Sequence, residues 1–230
     1  MTKPLKRASR TAYRLMRAAF RLLAAALLKQ DVSGLENVPA DGPFLVVVNH
    51  LSIIEPVLIY NYFPRQMMMF AADKWAKTPV VSNIAEAVGV IWVARGEADM
   101  GAIKAMLAAF KAGYPMGMAP EGTRSRNAQL QPGKPGAAFL ADRGGVPLVP
   151  VGISGTENLS RNLKRLRRTP VRMAVGPAFR LPGNGRARAG QLEQFTEEIM
   201  CRIAALLPPD YRGAYAEHQR LQELLAGAKA

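Results

Sequence analysis

Few residues in this chain have the chemistry of an acid or base near neutral pH, and two of them stand close together. His50 is one of only two histidines in 230 residues, and Glu55 follows five positions later. Imidazole exchanges its proton near neutrality, and a carboxylate beside it fixes the tautomer that can accept a proton. Such a pair can take the proton of a hydroxyl as that hydroxyl attacks. A plainer role is also open, because Ser52 and Glu55 form S-x-x-E, a pattern that starts a helix by satisfying orphan backbone donors. Pro56 would then stand in the first turn, where proline is tolerated.

The second chemical group is Pro120-Glu121-Gly122-Thr123-Arg124-Ser125. Arg124 can hold a phosphate through two parallel hydrogen bonds. Gly122 lets a backbone approach a ligand closely, and Thr123 and Ser125 add hydroxyl donors. Arg95 is a further cation able to meet a phosphate. Arg95 and Arg124 have a structural alternative in an ion pair, with Glu121 or Glu97 as the partner. No G-x-S-x-G nucleophile elbow is present. No Cys/His cluster has metal-ligand spacing, so neither a metal nor another cofactor is expected.

Each of these groups ends an apolar run. Phe44–Val48 is a short β-branched stretch that predicts a buried strand, and Asn49-His50 follows it at once. Val88–Ala94 predicts a strand ending at Arg95, and Tyr114–Ala119 one ending at Pro120. If those strands run parallel, all three groups share one rim of a sheet, where open α/β sheets bind ligands. Further strands are expected over Met67–Ala71, Val146–Ile153 and Val171–Val175. Helices are expected over Pro56–Tyr62, Pro79–Ala87, Met100–Ala112, Pro135–Asp142 and Gln191–Leu207, and from Tyr211 onward. Strands and helices alternate, so the fold class is α/β, with a central, mostly parallel or mixed sheet flanked by helices. Pro147 and Pro150 cannot both donate to a ladder, which predicts an edge or mouth position for Val146–Ile153. Val146, Pro147, Val149 and Pro150 are thus either core or the wall of an apolar groove.

The net charge of +14 is uneven: residues 1–30 hold eight Lys and Arg and no acid, whereas residues 31–230 hold 23 bases against 17 acids. Wound at about 100° per residue, Lys3, Lys6, Arg7, Arg10, Arg14, Arg17 and Arg21 fall in one sector. Leu5, Ala12, Leu15, Met16, Ala19, Leu22, Leu23, Ala26 and Leu27 fall on the other side. That pattern predicts a basic amphipathic helix at a membrane interface, or else a helix covering the domain's own core. Its longest apolar run, Leu22–Leu28, is far short of the roughly 20 residues a spanning helix needs. The expected organisation is an amphipathic helix over 1–30, an α/β domain over 31–207 opened by a linker over 31–43, and a helical tail over 208–230. Residues 160–169 are expected to be a basic loop, in which Arg161, Lys164, Arg165, Arg167 and Arg168, with Arg172 beyond, form a second cationic cluster. That cluster holds no aromatic residue for stacking on bases, so it is a solvated loop, a lipid-headgroup contact or a dock for an acidic acyl carrier rather than a binder of single-stranded nucleic acid. The single cysteine, Cys201, excludes an internal disulfide and suits a reducing compartment.

Four segments together resemble one known family, the glycerophospholipid acyltransferases typified by bacterial 1-acyl-sn-glycerol-3-phosphate acyltransferase. Asn49-His50 through Glu55 resembles the family's N-H-x4-D, with glutamate where the family has aspartate. Gly89–Arg95 resembles its strand ending in arginine, Pro120–Ser125 its P-E-G-T-R-S without change, and Val146–Val151 its V-P-x-V-P-V. The resemblance spans about Val32 to Val175. It implies transfer of a fatty acyl group from acyl-CoA or acyl carrier protein to the hydroxyl of lysophosphatidic acid, giving phosphatidic acid. It implies a catalytic His50–Glu55 pair with no covalent acyl-enzyme, and phosphate contacts from Arg95 and from Glu121 to Ser125, with Glu121 positioning Arg124 or a substrate hydroxyl. It further implies a monotopic protein on the cytoplasmic face of the cell membrane, with membrane lipid and lysophospholipid as partners. Alternatives are another lysolipid acceptor, a lipid-binding protein with little catalysis and, from charge alone, a nucleic-acid-binding module.

Overall fold

A computed structural model describes residues 10–72, 76–79, 82–83, 90–93 and 100–227. Arg95, the first residues of the expected N-terminal helix and most of the helix expected over 79–87 lie outside the described residues.

The first element among the described residues is helix α1 (Arg10–Leu27), which runs straight into strand β1 (Leu28–Ser33). Strand β2 (Leu45–Val48) and helix α2 (Glu55–Tyr62) follow, then β3 (Met68–Ala72), β4 (Val90–Val93), α3 (Met100–Lys111) and β5 (Met116–Met118). Helix α4 (Gly136–Gly144) leads to β6 (Leu148–Ser154), the short helix α5 (Leu159–Lys164) and β7 (Thr169–Val175). Helices α6 (Ala189–Ala205) and α7 (Gln219–Gly227) close the chain.

The strands form one seven-stranded sheet in the order β1-β7-β6-β2-β5-β3-β4. Every neighbouring pair is parallel except β6–β7, which is antiparallel. The sheet is therefore mixed, and β2, β4, β5 and β6 all end on the same rim. Helices cover both faces, which explains why β2 has no polar alternation. Leu45 and Val47 face α3, α4, α6 and α7, while Val46 and Val48 face α1 and α2. Burying one such side chain contributes roughly 1.5–3 kcal/mol.

Three expectations are corrected here. The stretch taken for a linker begins as β1, which pairs with β7 from Leu28↔Thr169 to Ser33↔Ala174. As an edge strand of sequence LKQDVS it buries little, so it lacks the apolar run that marks a strand. Next, β6 is an interior strand, between β7 and β2. Pro147 lies just outside it, and Pro150 sits where β7 has ended: Leu148 bonds Phe179 on that side, and the Pro150 carbonyl accepts Gly176 N–H at 2.9 Å. The missing N–H therefore falls just past the last β6–β7 pair, Val151↔Val175, rather than inside the ladder. Finally, the basic stretch from Leu159 to Lys164 is helical, and only the turn after it is a loop.

Helix α1 is amphipathic in a way the charge pattern does not foretell. Its inner face is Tyr13, Arg17, Phe20 and Ala24, packed on α2. Arg17 donates Nε and Nη2 to the Asn61 carbonyl at 3.3 and 3.0 Å. Asn61 Nδ2 returns a bond to the Phe20 carbonyl at 3.2 Å. Arg17, expected in the outer basic sector, thus belongs to the contact with the domain. Leu15, Leu22 and Leu23 point away from the domain, Leu22 with 74% of its surface exposed.

Candidate active site

Strand β2 delivers His50 to the sheet rim through Asn49. The Asn49 side chain acts as an extra ladder rung: Nδ2 donates to the Ile153 carbonyl and Oδ1 accepts Ile153 N–H, both at 2.8 Å. This holds the end of β2 against β6 beyond the last strand residue. Asn49 is buried, so it orders the backbone from which His50 leaves.

Glu55 is the first residue of α2 and is only 1% exposed. Its Oε2 lies 2.8 Å from His50 Nδ1 and accepts Ser52 N–H at 2.9 Å. Its Oε1 accepts the Thr156 hydroxyl at 2.6 Å. The two readings of Glu55 therefore meet in one group. The carboxylate closes the turn as half of a capping box would, and it also engages the imidazole. The other half is missing, because no side chain caps α2. With Nδ1–H donated to a carboxylate, Nε2 carries the lone pair. Nε2 has no partner among the described residues, and the His50 side chain is 29% exposed.

The backbone of His50 is pinned from the β5 side. Glu121 Oε1 accepts His50 N–H at 2.8 Å, and Ser125 N–H donates to the His50 carbonyl at 2.8 Å. Glu121 Oε2 accepts Gln131 N–H at 2.9 Å. Glu121 is 1% exposed, and both of its oxygens are occupied by backbone. Its expected place against a phosphate or Arg124 is therefore corrected: it fastens the 120–131 loop to the residue that carries the imidazole. Burial pushes its carboxyl above the ordinary glutamate value, although the two backbone donors work against that rise. Ser125 is also internal, its hydroxyl donating to Asn127 Oδ1 at 2.9 Å and accepting Gln129 N–H at 3.1 Å.

Gly122, Thr123 and Arg124 face outward from this loop, as do Arg126, Asn127 and Gln129 beyond them. Gly122 has φ +68°, a left-handed conformation in which glycine carries no penalty. A Cβ there would also meet the Lys134 side chain, with Nζ 3.3 Å away. Lys134 thus places an ammonium beside the Gly122–Arg124 turn, a feature its position before α4 does not announce. Arg124 has no hydrogen bond or ion pair among the described residues, so an ion pair with Glu121 is not made. Val146, Val149 and Pro150 are buried, and Val149 is packed among the side chains facing α1 and α2. They are core rather than the wall of an open groove.

Residues 29–154 match the family model of the acyltransferases, and the chain belongs to that family. The 1-acyl-sn-glycerol-3-phosphate acyltransferase of Borreliella burgdorferi is 29% identical over 65% of this chain, and the match spans 61% of that protein. One from Chlamydomonas reinhardtii is 26% identical over 84% of this chain and 57% of its own length. The chain thus spans about six-tenths of the length of these curated relatives. The crystal structure of the 1-acyl-sn-glycerophosphate acyltransferase of Thermotoga maritima superposes with a TM-score of 0.66 at 25% identity, covering 81% of this chain and 76% of that one.

Proposed function

We propose that this protein is a 1-acyl-sn-glycerol-3-phosphate O-acyltransferase, moving a fatty acyl group from a thioester to the hydroxyl of lysophosphatidic acid. The observation that carries the reading is the His50 Nδ1–Glu55 Oε2 contact of 2.8 Å, on the same rim as Arg124, which has no ion pair among the described residues. An alcohol is a weak nucleophile, whereas a thioester is already activated, so the acceptor hydroxyl is where catalysis is needed. His50 Nε2 takes the hydroxyl proton as the oxygen attacks the thioester carbonyl. The new C–O bond forms, the C–S bond breaks, and the proton passes to the leaving thiolate. Glu55 holds the tautomer and stabilises the imidazolium as it develops. No acyl-enzyme is required and no cofactor takes part. Arg124 and Lys134 grip the acceptor phosphate, with Arg95 and the Thr123 hydroxyl as further contacts.

The donor is acyl-CoA or acyl carrier protein, and the protein works from the cytoplasmic face of the membrane as a monotopic or peripheral enzyme. Among the described residues no helix is long and apolar enough to cross a membrane. The exposed Leu15, Leu22 and Leu23 face of α1, bordered by Arg14 and Arg21, supports attachment to a lipid surface instead.

The test is acyl transfer by the purified chain, with labelled thioester and lysophosphatidic acid. Phosphatidic acid is the expected product, and His50→Ala is expected to lower the rate about 10²–10⁴-fold. Turnover only with another lysolipid would change the acceptor, and binding without turnover would make the chain a lipid-binding protein.

A further inference from the structure

We propose that the turn after α5 is a second lipid-contact element, seating Leu163 and Leu166 among the headgroups of an anionic bilayer beside the rim that carries His50. The proposal rests on the membrane part of the reading above and deepens it, but its observations are separate from those on α1.

Helix α5 is anchored through Leu159, which packs against the side chains facing α1 and α2. Leu163, one turn later, is half exposed, and Leu166 is 94% exposed. Leu166 also has φ +50°. It occupies the position just past a helix end where glycine is the usual residue. Around it Arg167 N–H bonds the Asn162 carbonyl and Leu166 N–H the Leu163 carbonyl, both at 3.0 Å. A leucine in that conformation is strained, and it contributes almost nothing to the core. Neither the local backbone nor the packing calls for an aliphatic side chain there.

The surrounding charge indicates what does. Arg161, Lys164, Arg165 and Arg167 are exposed on both sides of the two leucines. None of the four pairs with an acid among the described residues. Long cationic side chains can lay their stems along an apolar surface while the charged ends stay with lipid phosphates. An apolar tip ringed by unpaired cations is complementary to an anionic headgroup layer. An acidic protein would match the cations but gives no reason for Leu166.

The turn is also tied to the catalytic rim at both ends. Before it, Thr156 bonds Glu55 at 2.6 Å. After it, Arg168 donates Nε and Nη2 to the Leu28 carbonyl, where α1 passes into β1, at 3.1 and 2.6 Å. Ile53, three residues from His50, is exposed at the same rim. Insertion of this turn brings the catalytic histidine close to the membrane from which a lysolipid would come.

Leu166→Gly suits the left-handed backbone, so the full chain carrying it is expected to melt no lower than the unaltered protein. In flotation with vesicles of phosphatidylcholine and phosphatidylglycerol at moderate salt, Leu166→Gly is expected to weaken binding about tenfold. The double variant Arg165→Gln with Arg167→Gln is expected to weaken it similarly, and vesicles of phosphatidylcholine alone to bind poorly. Undiminished vesicle binding by Leu166→Gly overturns the proposal, as does a failure of the unaltered chain to bind vesicles. If flotation is unchanged in both variants while the double variant raises KM for an acyl carrier protein thioester, the turn is a carrier dock and the proposal fails. Flotation needs no turnover, so a chain inactive on every acceptor would leave this result readable and distinct from failure of the acyl-transfer reading.

Discussion

Thr156 donates its hydroxyl to Glu55 Oε1 at 2.6 Å, across 101 residues of chain. The bond leaves Oε2 for His50 and fixes the carboxylate plane. Thr156 is buried, so its loss cannot be repaired by bulk water. Thr156→Val leaves a buried acceptor unsatisfied, which costs about 1–3 kcal/mol. It is also expected to lower kcat about tenfold with little change in KM, because a positioning group acts on the imidazole rather than on substrate. Thr156→Ser keeps the hydroxyl and should recover most of the rate. Equal kcat for Val and Ser would reduce Thr156 to a purely structural residue.

Glu55 itself is seated for glutamate, with His50, Ser52 N–H and Thr156 all within 2.9 Å of its two oxygens. Glu55→Asp withdraws the carboxylate by one methylene, and a misplacement of ~1 Å can cost about 10²-fold in rate. The aspartate variant is therefore expected to be slower, although aspartate is the residue of the N-H-x4-D pattern. Glu55→Gln keeps the shape but removes the charge that stabilises imidazolium, so kcat should fall while Tm barely moves. A kinetic series in which both variants match the unaltered protein would remove Glu55 from catalysis.

Arg124 is exposed and has no ion pair among the described residues, so Arg124→Lys is not expected to change Tm. Lysine keeps the charge and loses the planar fork. KM for a phosphate-bearing acceptor should rise by about tenfold, the equivalent of one lost charge-assisted bond. KM for an uncharged lysolipid should be nearly unchanged. Equal rises on both acceptors would take Arg124 off the phosphate.

Removing the N-terminal helix altogether is not a clean test of membrane binding. Tyr13 and Ala24 are buried on the domain, and β1 continues directly from the helix. Paired substitution Leu15→Ser with Leu22→Ser alters only the outward face, so the fold is expected to keep its Tm. Vesicle binding should weaken by about tenfold or more, from the apolar area withdrawn from lipid. Unchanged flotation would move the attachment away from α1.

Glu198 supplies a pH test of the C-terminal packing. Burial alone would raise its carboxyl, but hydrogen bonds from Arg220 and Arg202 outweigh it and hold the group below the ordinary glutamate value. Arg220 Nε donates to Glu198 Oε2 and Arg202 Nε to Oε1, both at 2.6 Å. A depressed carboxyl contributes stability above its unfolded value, and that contribution is lost as pH falls through the folded one. The Tm gap between the unaltered chain and Glu198→Gln should thus be full at neutral pH. It should close on acidification below the ordinary glutamate range. A gap independent of pH would mean that the pair acts through packing alone.

Much of the candidate site's geometry was legible in the sequence because its parts are local. His50 and Glu55 lie within one turn of each other, and Pro120–Ser125 is contiguous. Phe44–Val48, short and β-branched, predicts a buried strand, and β2 is covered on both sides. The sequence placed the ends of β2 and β5 on one rim only if the two strands ran parallel, and they do. The tertiary structure decided the rest, since those contacts depend on which strands become neighbours. Asn49 meets Ile153, and Thr156 meets Glu55, only because β6 lies beside β2. Lys134 reaches Gly122 only because the 120–131 loop folds back, held by Glu121. Glu121 carries the same carboxylate whether it grips a ligand or a backbone, and only its burial distinguishes the two. The spacing of bases and leucines likewise marks α1 as a basic, leucine-rich helix. Which side would bury could not be read from it, because Arg17 and Asn61 meet through a side chain and a carbonyl 44 residues apart, and a carbonyl has no signature in the sequence.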